Sequence, residues 1–305
     1  MSMTRAERVA ERNVCANCGA ALGGSYCATC GQRDLPPDPT LRELAADAAQ
    51  EMLGVDGKLL STARLLLRPG RLTVDYLAGR RAEHVGPVRI YLTCSALLFA
   101  LLAFQPPDTS PRAPNEFRMF GMARVSVDMS DSTARRLERA RDPGLYERAA
   151  LRMRSAMRTG PERRAELEQR TVNAIPQTLF LMVPAYAVVM WLAAPRPRRH
   201  YPAHLCYALH VHAFAFAALA VALGLRIAVQ RAANASTLGG LNTLLRLLFV
   251  SCAAGVLGYV VLADRRVYGA SWPTTVARVV GSTALYVVLL AVALAVLMAA
   301  VLLVG

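Results

Sequence analysis

Lysine is almost missing from this 305-residue chain: of its 35 basic residues only Lys58 is not an arginine. Its long apolar runs lack Asp and Glu in their interiors, and its first 87 residues hold no apolar stretch long enough to act as a secretory signal. No glycine-rich phosphate loop, no nucleophile set beside a base and no intramembrane carboxylate pair can be read along the chain. Nucleotide-driven and hydrolytic machinery of familiar design is therefore disfavoured. No inverted repeat is visible either, which weighs against a two-fold transporter. Residues 1–87 are expected to begin on the cytosolic side.

What is present is apolar surface. The chain is 54% hydrophobic with a mean hydropathy of +0.32, too apolar for an ordinary soluble domain. Five apolar runs, at 88–104, 174–194, 203–225, 244–263 and 279–304, predict transmembrane helices. All but the first reach the approximately 20 residues that cross a hydrocarbon core, and the first reaches it with snorkelling flanks. Arginines decide the orientation. Arg80, Arg81 and Arg89 precede the first run, Arg196, Arg198 and Arg199 separate the second and third, and Arg265 and Arg266 separate the fourth and fifth. The connection 226–243 carries only Arg226 and Arg231. By the positive-inside rule the N-terminus is cytosolic and the C-terminus extracytoplasmic, in an inner (cytoplasmic) membrane. The net charge of +14 is spread between the runs, which favours anionic lipid headgroups over nucleic acid as the counter-surface.

Of seven cysteines, four form Cys15-Ala-Asn-Cys18 and Cys27-Ala-Thr-Cys30, with eight residues between the pairs. Two such knuckles can converge on one tetrahedral Zn²⁺, and Gly19, Gly23, Gly24 and Gly31 permit the turns. A thioredoxin-like redox motif would use one pair on a βα unit, not two in a glycine-rich segment. Four thiolates close the coordination shell, so the expected role is structural: a ribbon folded by its metal that offers a docking surface to a protein partner. Cys94, Cys206 and Cys252 stand singly in apolar runs and read as buried hydrophobes.

Residues 1–39 comprise this ribbon and a linker stiffened by Pro36, Pro37 and Pro39. In 40–87, Thr40-Leu-Arg-Glu43 has the form of a capping box opening a helix to about Leu53. Lys58–Gly70 mixes leucines with Lys58, Arg64 and Arg68 and is stopped by Pro69. It suits a segment lying on an anionic leaflet or packed on the protein's own surface. The 105–173 loop is placed outside, with Ser132–Arg141, Pro143–Met157 and Pro161–Arg170 as helices. The expected fold is thus an all-α multi-pass membrane protein of about five transmembrane helices, with a small N-terminal zinc ribbon and a helical extracytoplasmic loop.

The third run carries His204, His210 and His212. At about 100° per residue His210 and His212 face nearly opposite ways, and His204 and His212 stand roughly 12 Å apart along the axis. They cannot hold one ion together. Local hydrogen bonds and a proton or ion pathway remain the two readings of these imidazoles. Arg246, several residues inside the fourth run, either snorkels beside Asn242 or lines a polar path with Gln177 and a histidine. Pro176 and Pro184 can kink the second run.

Several stretches together resemble a family of uncharacterised bacterial membrane proteins, DUF3667. They are Tyr26-Cys-Ala-Thr-Cys-Gly-Gln32; Asp56 with Lys58, Leu59 and Thr62; Arg68-Pro-Gly70; Tyr76-Leu-Ala-Gly-Arg-Arg81 with Pro87 and Tyr91; Leu181-Met-Val-Pro-Ala185; and His204–Phe214. The resemblance implies the same architecture and no particular activity. The family often sets a glutamate before the first histidine, where this chain has Ala203, so a Glu/His site would be weakened here.

These readings favour a non-enzymatic membrane adaptor or regulator over a small-solute or ion transporter or channel built on the third run. A membrane-embedded enzyme comes third.

Overall fold

The computed structural model describes residues 14–34, 40–45, 58–104, 116–119, 123–126, 131–139, 144, 147–148, 151, 155, 161–194, 200–232 and 238–304. They fall into two compact units. The first comprises 1–101 and 183–286, the second 102–182 and 287–305.

The first unit begins with the cysteine ribbon. A helical turn follows at Leu41, where Thr40 and Glu43 cap each other: Thr40 N–H donates to Glu43 Oε2 at 2.8 Å and Glu43 N–H to Thr40 Oγ1 at 3.2 Å. The expected continuation to Leu53 lies outside the described residues. Helix α1 (Lys58–Leu66) and the short α2 (Arg71–Leu77) then form a wedge. Gly70 makes the wedge possible. Its φ is +69°, and a Cβ there would lie 2.8 Å from the Ala263 carbonyl oxygen, so only glycine lets the bend close on the backbone of a later helix. Helix α3 (Pro87–Ala103) is 17 residues long, about 25 Å, shorter than the roughly 30 Å of a hydrocarbon core.

Four long helices contribute the rest: α5 (Pro161–Ala193) from Val183 onward, α6 (Tyr201–Ala232), α7 (Leu238–Tyr268), and α8 (Trp272–Val304) as far as Tyr286, each apolar along most of its length. The wedge helix α2 packs on both α6 and α7, and α6 packs on α7. Aromatic rings tie the helices: Phe214 stacks on Tyr259 at 3.7 Å, and Tyr91 meets Phe216 at 5.7 Å. Tyr259 Oη donates to the Leu66 carbonyl at 2.9 Å, and Arg266 Nη1 to the Pro69 carbonyl at 2.6 Å, fixing the α1–α2 bend to α7. Residues 58–77 are therefore built into the helix packing, with Thr62, Leu66, Leu72 and Tyr76 buried.

The second unit differs from expectation in two places. The loop region is not wholly helical: β1 (Glu116–Met119) and β2 (Ala123–Ser126) form an antiparallel hairpin pairing Phe117 with Val125 and Arg118 with Arg124. Alternation of Phe117, Met119 and Val125 with polar residues on either side of Gly121 favours strands over a helix. Helix α4 (Asp131–Glu138) occupies the start of the expected Ser132–Arg141 helix, and most of 143–157 lies outside the described residues. The expected helix Pro161–Arg170 is not separate from the second span but is the first part of α5. No breaker separates Arg170 from Ala174, and i,i+4 contacts carry the helix through: Arg170 to Glu166 at 2.6 Å and Gln169 to Asn173 at 2.9 Å.

Among the described residues, four helices are long and apolar enough to cross a membrane: Gln169–Ala193, Tyr201–Arg231, Leu247–Tyr268 and Trp272–Val301. With the shorter apolar α3, they mark a helical membrane protein.

Candidate metal centre

Two equivalent turns build the cysteine site. In each Cys-x-x-Cys, the glycine after the second cysteine takes a positive φ (Gly19 +75°, Gly31 +71°) and donates its N–H back to the first cysteine's carbonyl at 2.9 Å. The first cysteine's own N–H then donates onward, from Cys15 to the Ala20 carbonyl at 2.7 Å and from Cys27 to the Gln32 carbonyl at 2.9 Å. Isolated bridges, Val14 with Ala21 and Tyr26 with Arg33, close each turn at its base.

The four ligand sulfurs of Cys15, Cys18, Cys27 and Cys30 all lie within 4.8 Å of one another. Cys15 Sγ is 3.6 Å from Cys30 Sγ, and Cys18 Sγ is 3.5 Å from Cys27 Sγ. Disulfides need about 2.05 Å. A tetrahedron of sulfurs about 2.3 Å from a central Zn²⁺ has edges near 3.8 Å, and the two close pairs of the tetrad fit such edges. Its electrostatics suit a cation too. Backbone N–H groups of Cys30 and Thr29 bring the Cys27 thiol down to about 6. Cys18 is pushed up to about 12: the Ala20 backbone N–H lowers it, but desolvation and the three neighbouring sulfurs outweigh that. Four crowded thiols cannot all ionise without a positive ion among them.

The ribbon is gripped by the wedge. Gln32 Nε2 donates to the Gly79 carbonyl at 2.7 Å, while its Oε1 accepts from the N–H groups of Arg81 at 3.0 Å and Ala82 at 2.9 Å. Gly79, at φ +88°, leaves room for Ala16 of the first knuckle, whose Cβ would stand 3.1 Å from a Cβ at Gly79. Neither contact carries a local sequence signal.

The three histidines of α6 are all buried and, as the helix angle requires, turn to different partners. His212 Nδ1–H donates to the Ala208 carbonyl at 2.8 Å, which leaves Nε2 to accept from Tyr286 Oη at 2.9 Å. His204 Nδ1 is 2.8 Å from Tyr268 Oη, with the two rings stacked. His210 Nδ1 meets Thr73 Oγ1 of the wedge at 2.9 Å and its ring meets the edge of Tyr76, while its Nε2 is buried with no partner among the described residues. These contacts fit the reading of local hydrogen bonds for His204 and His212. Gln177 is exposed on α5, in the second unit. Arg246 stands in α7, but its side chain and that of Asn242 lie outside the described residues.

A buried ion pair joins two of the spans. The expectation of no acid inside a span fails at Asp264, because α7 continues past 263 to Tyr268 and keeps Asp264 within the Leu247–Tyr268 span. Its carboxylate is fully buried and pairs with buried Arg278 of α8: Nε donates to Oδ2 at 3.0 Å and to Oδ1 at 3.2 Å, and Nη2 to Oδ1. Gly269, at φ +63°, ends α7 and returns the chain into α8. Arg278 also lies 4.7 Å over the Tyr268 ring, whose hydroxyl holds His204.

Residues 56–99 match the sequence model of a family described as protein of unknown function, DUF3667, which supports the resemblance for that stretch. The matched stretch contains α1, α2, most of α3 and the turn that Gln32 grips. No match to a curated protein or to a solved structure was found.

Proposed function

We propose that the chain is a bacterial inner-membrane adaptor or regulator that works without catalysis, presenting a Zn²⁺-closed ribbon to a protein partner in the cytosol. The observation that carries this reading is the outward face of the ribbon. Cys15 and Cys27 are buried, yet the residues just before them, Val14 and Tyr26, are 55% and 63% exposed. An exposed apolar side chain at the base of each metal turn offers an anchor for another protein. Affinity capture in mild detergent tests it. A protein held by the full chain is expected to be lost on deleting 1–39, and lost equally from a Val14→Ser, Tyr26→Ser double variant that keeps its metal. The same proteins on all three baits would end the adaptor reading.

The arginine distribution supports a cytosolic N-terminus and an extracytoplasmic C-terminus. On that orientation α1 exposes Leu60, Arg64 and, just beyond it, Leu67 and Arg68, a mixed apolar and basic face suited to anionic headgroups. A cysteine introduced at Ser132 is expected to react with an impermeant maleimide in intact spheroplasts. Labelling only after lysis would reverse the orientation and take α1 off the anionic leaflet with it.

The rival reading, a transporter or channel along α6, draws on His210 Nε2, which is buried without a partner among the described residues. Ion flux into proteoliposomes that disappears in His210→Gln would decide for it.

A further inference from the structure

Gln32 takes part in two structures at once. Its carbonyl accepts the Cys27 N–H that closes the second metal turn, and its side-chain amide makes three hydrogen bonds to the turn at 79–82. Only one orientation of the amide serves, since Gly79 offers a carbonyl while Arg81 and Ala82 offer N–H groups. Beyond the turn, the Arg81 guanidinium lies 4.6 Å over the Tyr76 ring. Tyr76 meets His210 edge-on with ring centroids 6.4 Å apart, and Thr73, one turn earlier on α2, is hydrogen-bonded to His210. A continuous set of contacts therefore runs from the cysteine tetrad through Gln32 and α2 to a buried histidine of a span.

We propose that Gln32 latches the metal state of the ribbon to the α2 wedge, so that losing the metal loosens the seat of α2 against His210. The proposal rests on the reading of the four cysteines as a metal centre. A ribbon of about 20 residues buries too little to hold its turns without the ion. When the Cys27–Gln32 turn opens, the Gln32 amide leaves its register, and three backbone groups at 79–82 lose their protein partners. The wedge then keeps its contacts with α7 through Leu66 and Pro69 but loses the clamp at its other end. In this arrangement Gln32 is a positioning residue: it touches neither the ion nor the histidine, and acts on each through its neighbours.

Hydrogen exchange on the full-length Zn²⁺-loaded protein in mild detergent, before and after chelation, reads the latch. Chelation is expected to speed exchange in the ribbon and also at Arg81, Ala82 and across Arg71–Leu77. Gln32→Ala is expected to speed the last two sets by about tenfold while one metal stays bound and the ribbon amides keep their protection. Gln32→Glu, which keeps an acceptor for Arg81 and Ala82 but loses the donor to Gly79, should fall between and serves if the alanine variant does not fold. Exchange at 71–82 that ignores both chelation and the Gln32 variants, in a preparation with one metal per chain, overturns the latch and leaves the adaptor reading standing. A preparation that takes up no metal overturns both.

Discussion

Asp264→Ala is expected to cost about 3–5 kcal/mol, enough to deplete the folded protein, because it strands the Arg278 guanidinium where almost no solvent reaches it. The two side chains are 0% and 3% exposed, so neither charge is hydrated and each depends on the other. Arg278 Nη1 already lacks a partner among the described residues, so no spare acceptor takes over from the carboxylate. The damage should spread, since Arg278 lies over Tyr268 and Tyr268 holds His204 of α6. Arg278→Met should cost a similar amount by leaving Asp264 alone. The double variant Asp264→Leu, Arg278→Met removes both charges together and should recover most of the loss, since apolar replacement of a buried pair is often neutral or stabilising. Thermal unfolding in one detergent, across the two single variants and the double, measures the coupling. Losses that simply add would show that the two groups do not depend on each other.

The pair leaves no clear signal in the sequence, for a physical reason. Asp264 stands beside Arg265 and Arg266, and a cluster of charges after an apolar run reads as a loop. The helix continues because nothing between Ala263 and Tyr268 opposes it, and the stop is Gly269. The two arginines then find partners on neighbouring elements: Arg265 lies 4.1 Å over Trp272 of α8, and Arg266 reaches the Pro69 carbonyl. The same error of boundary separated Pro161–Arg170 from α5. Apolar content marks where a helix crosses the membrane, whereas the ends are set by breakers and i,i+4 pairs that a hydropathy window averages away.

The cysteine tetrad was legible because its information is local: spacing and the glycine after each second cysteine suffice. The divergence of His210 and His212 was legible too, since helix geometry alone fixes it. Their partners were not. Thr73 is 137 residues from His210 and Gly79 is 47 from Gln32, and nothing in the residue types at these positions announces the pairing. The hairpin at Glu116–Ser126 did carry a signal, the alternation of Phe117, Met119 and Val125 with polar residues.

Cys27→Ser is expected to take the metal from about one ion per chain to near zero, and the fold of the ribbon with it. Serine has nearly the shape of cysteine but does not present a thiolate at neutral pH, so three sulfurs would remain to close a four-coordinate shell. Cys27 is the severest choice among the four. It is buried, backbone N–H groups bring its thiol down to about 6, and its N–H closes the turn at Gln32. Cys18 is the exposed member and keeps its proton to about 12 without an ion, so metal entry at neutral pH must expel that proton. Binding should therefore release acid into a weakly buffered solution, and affinity should fall as pH is lowered and protons compete for the sulfurs. Elemental analysis of the purified full chain under reducing conditions, wild type beside Cys27→Ser, gives the stoichiometry. Proton release on adding Zn²⁺ to the stripped protein gives the ligand state. Equal metal content in the two proteins, or binding that ignores pH between 5 and 8, would remove the thiolates from the site and leave the tetrad as four neighbouring thiols.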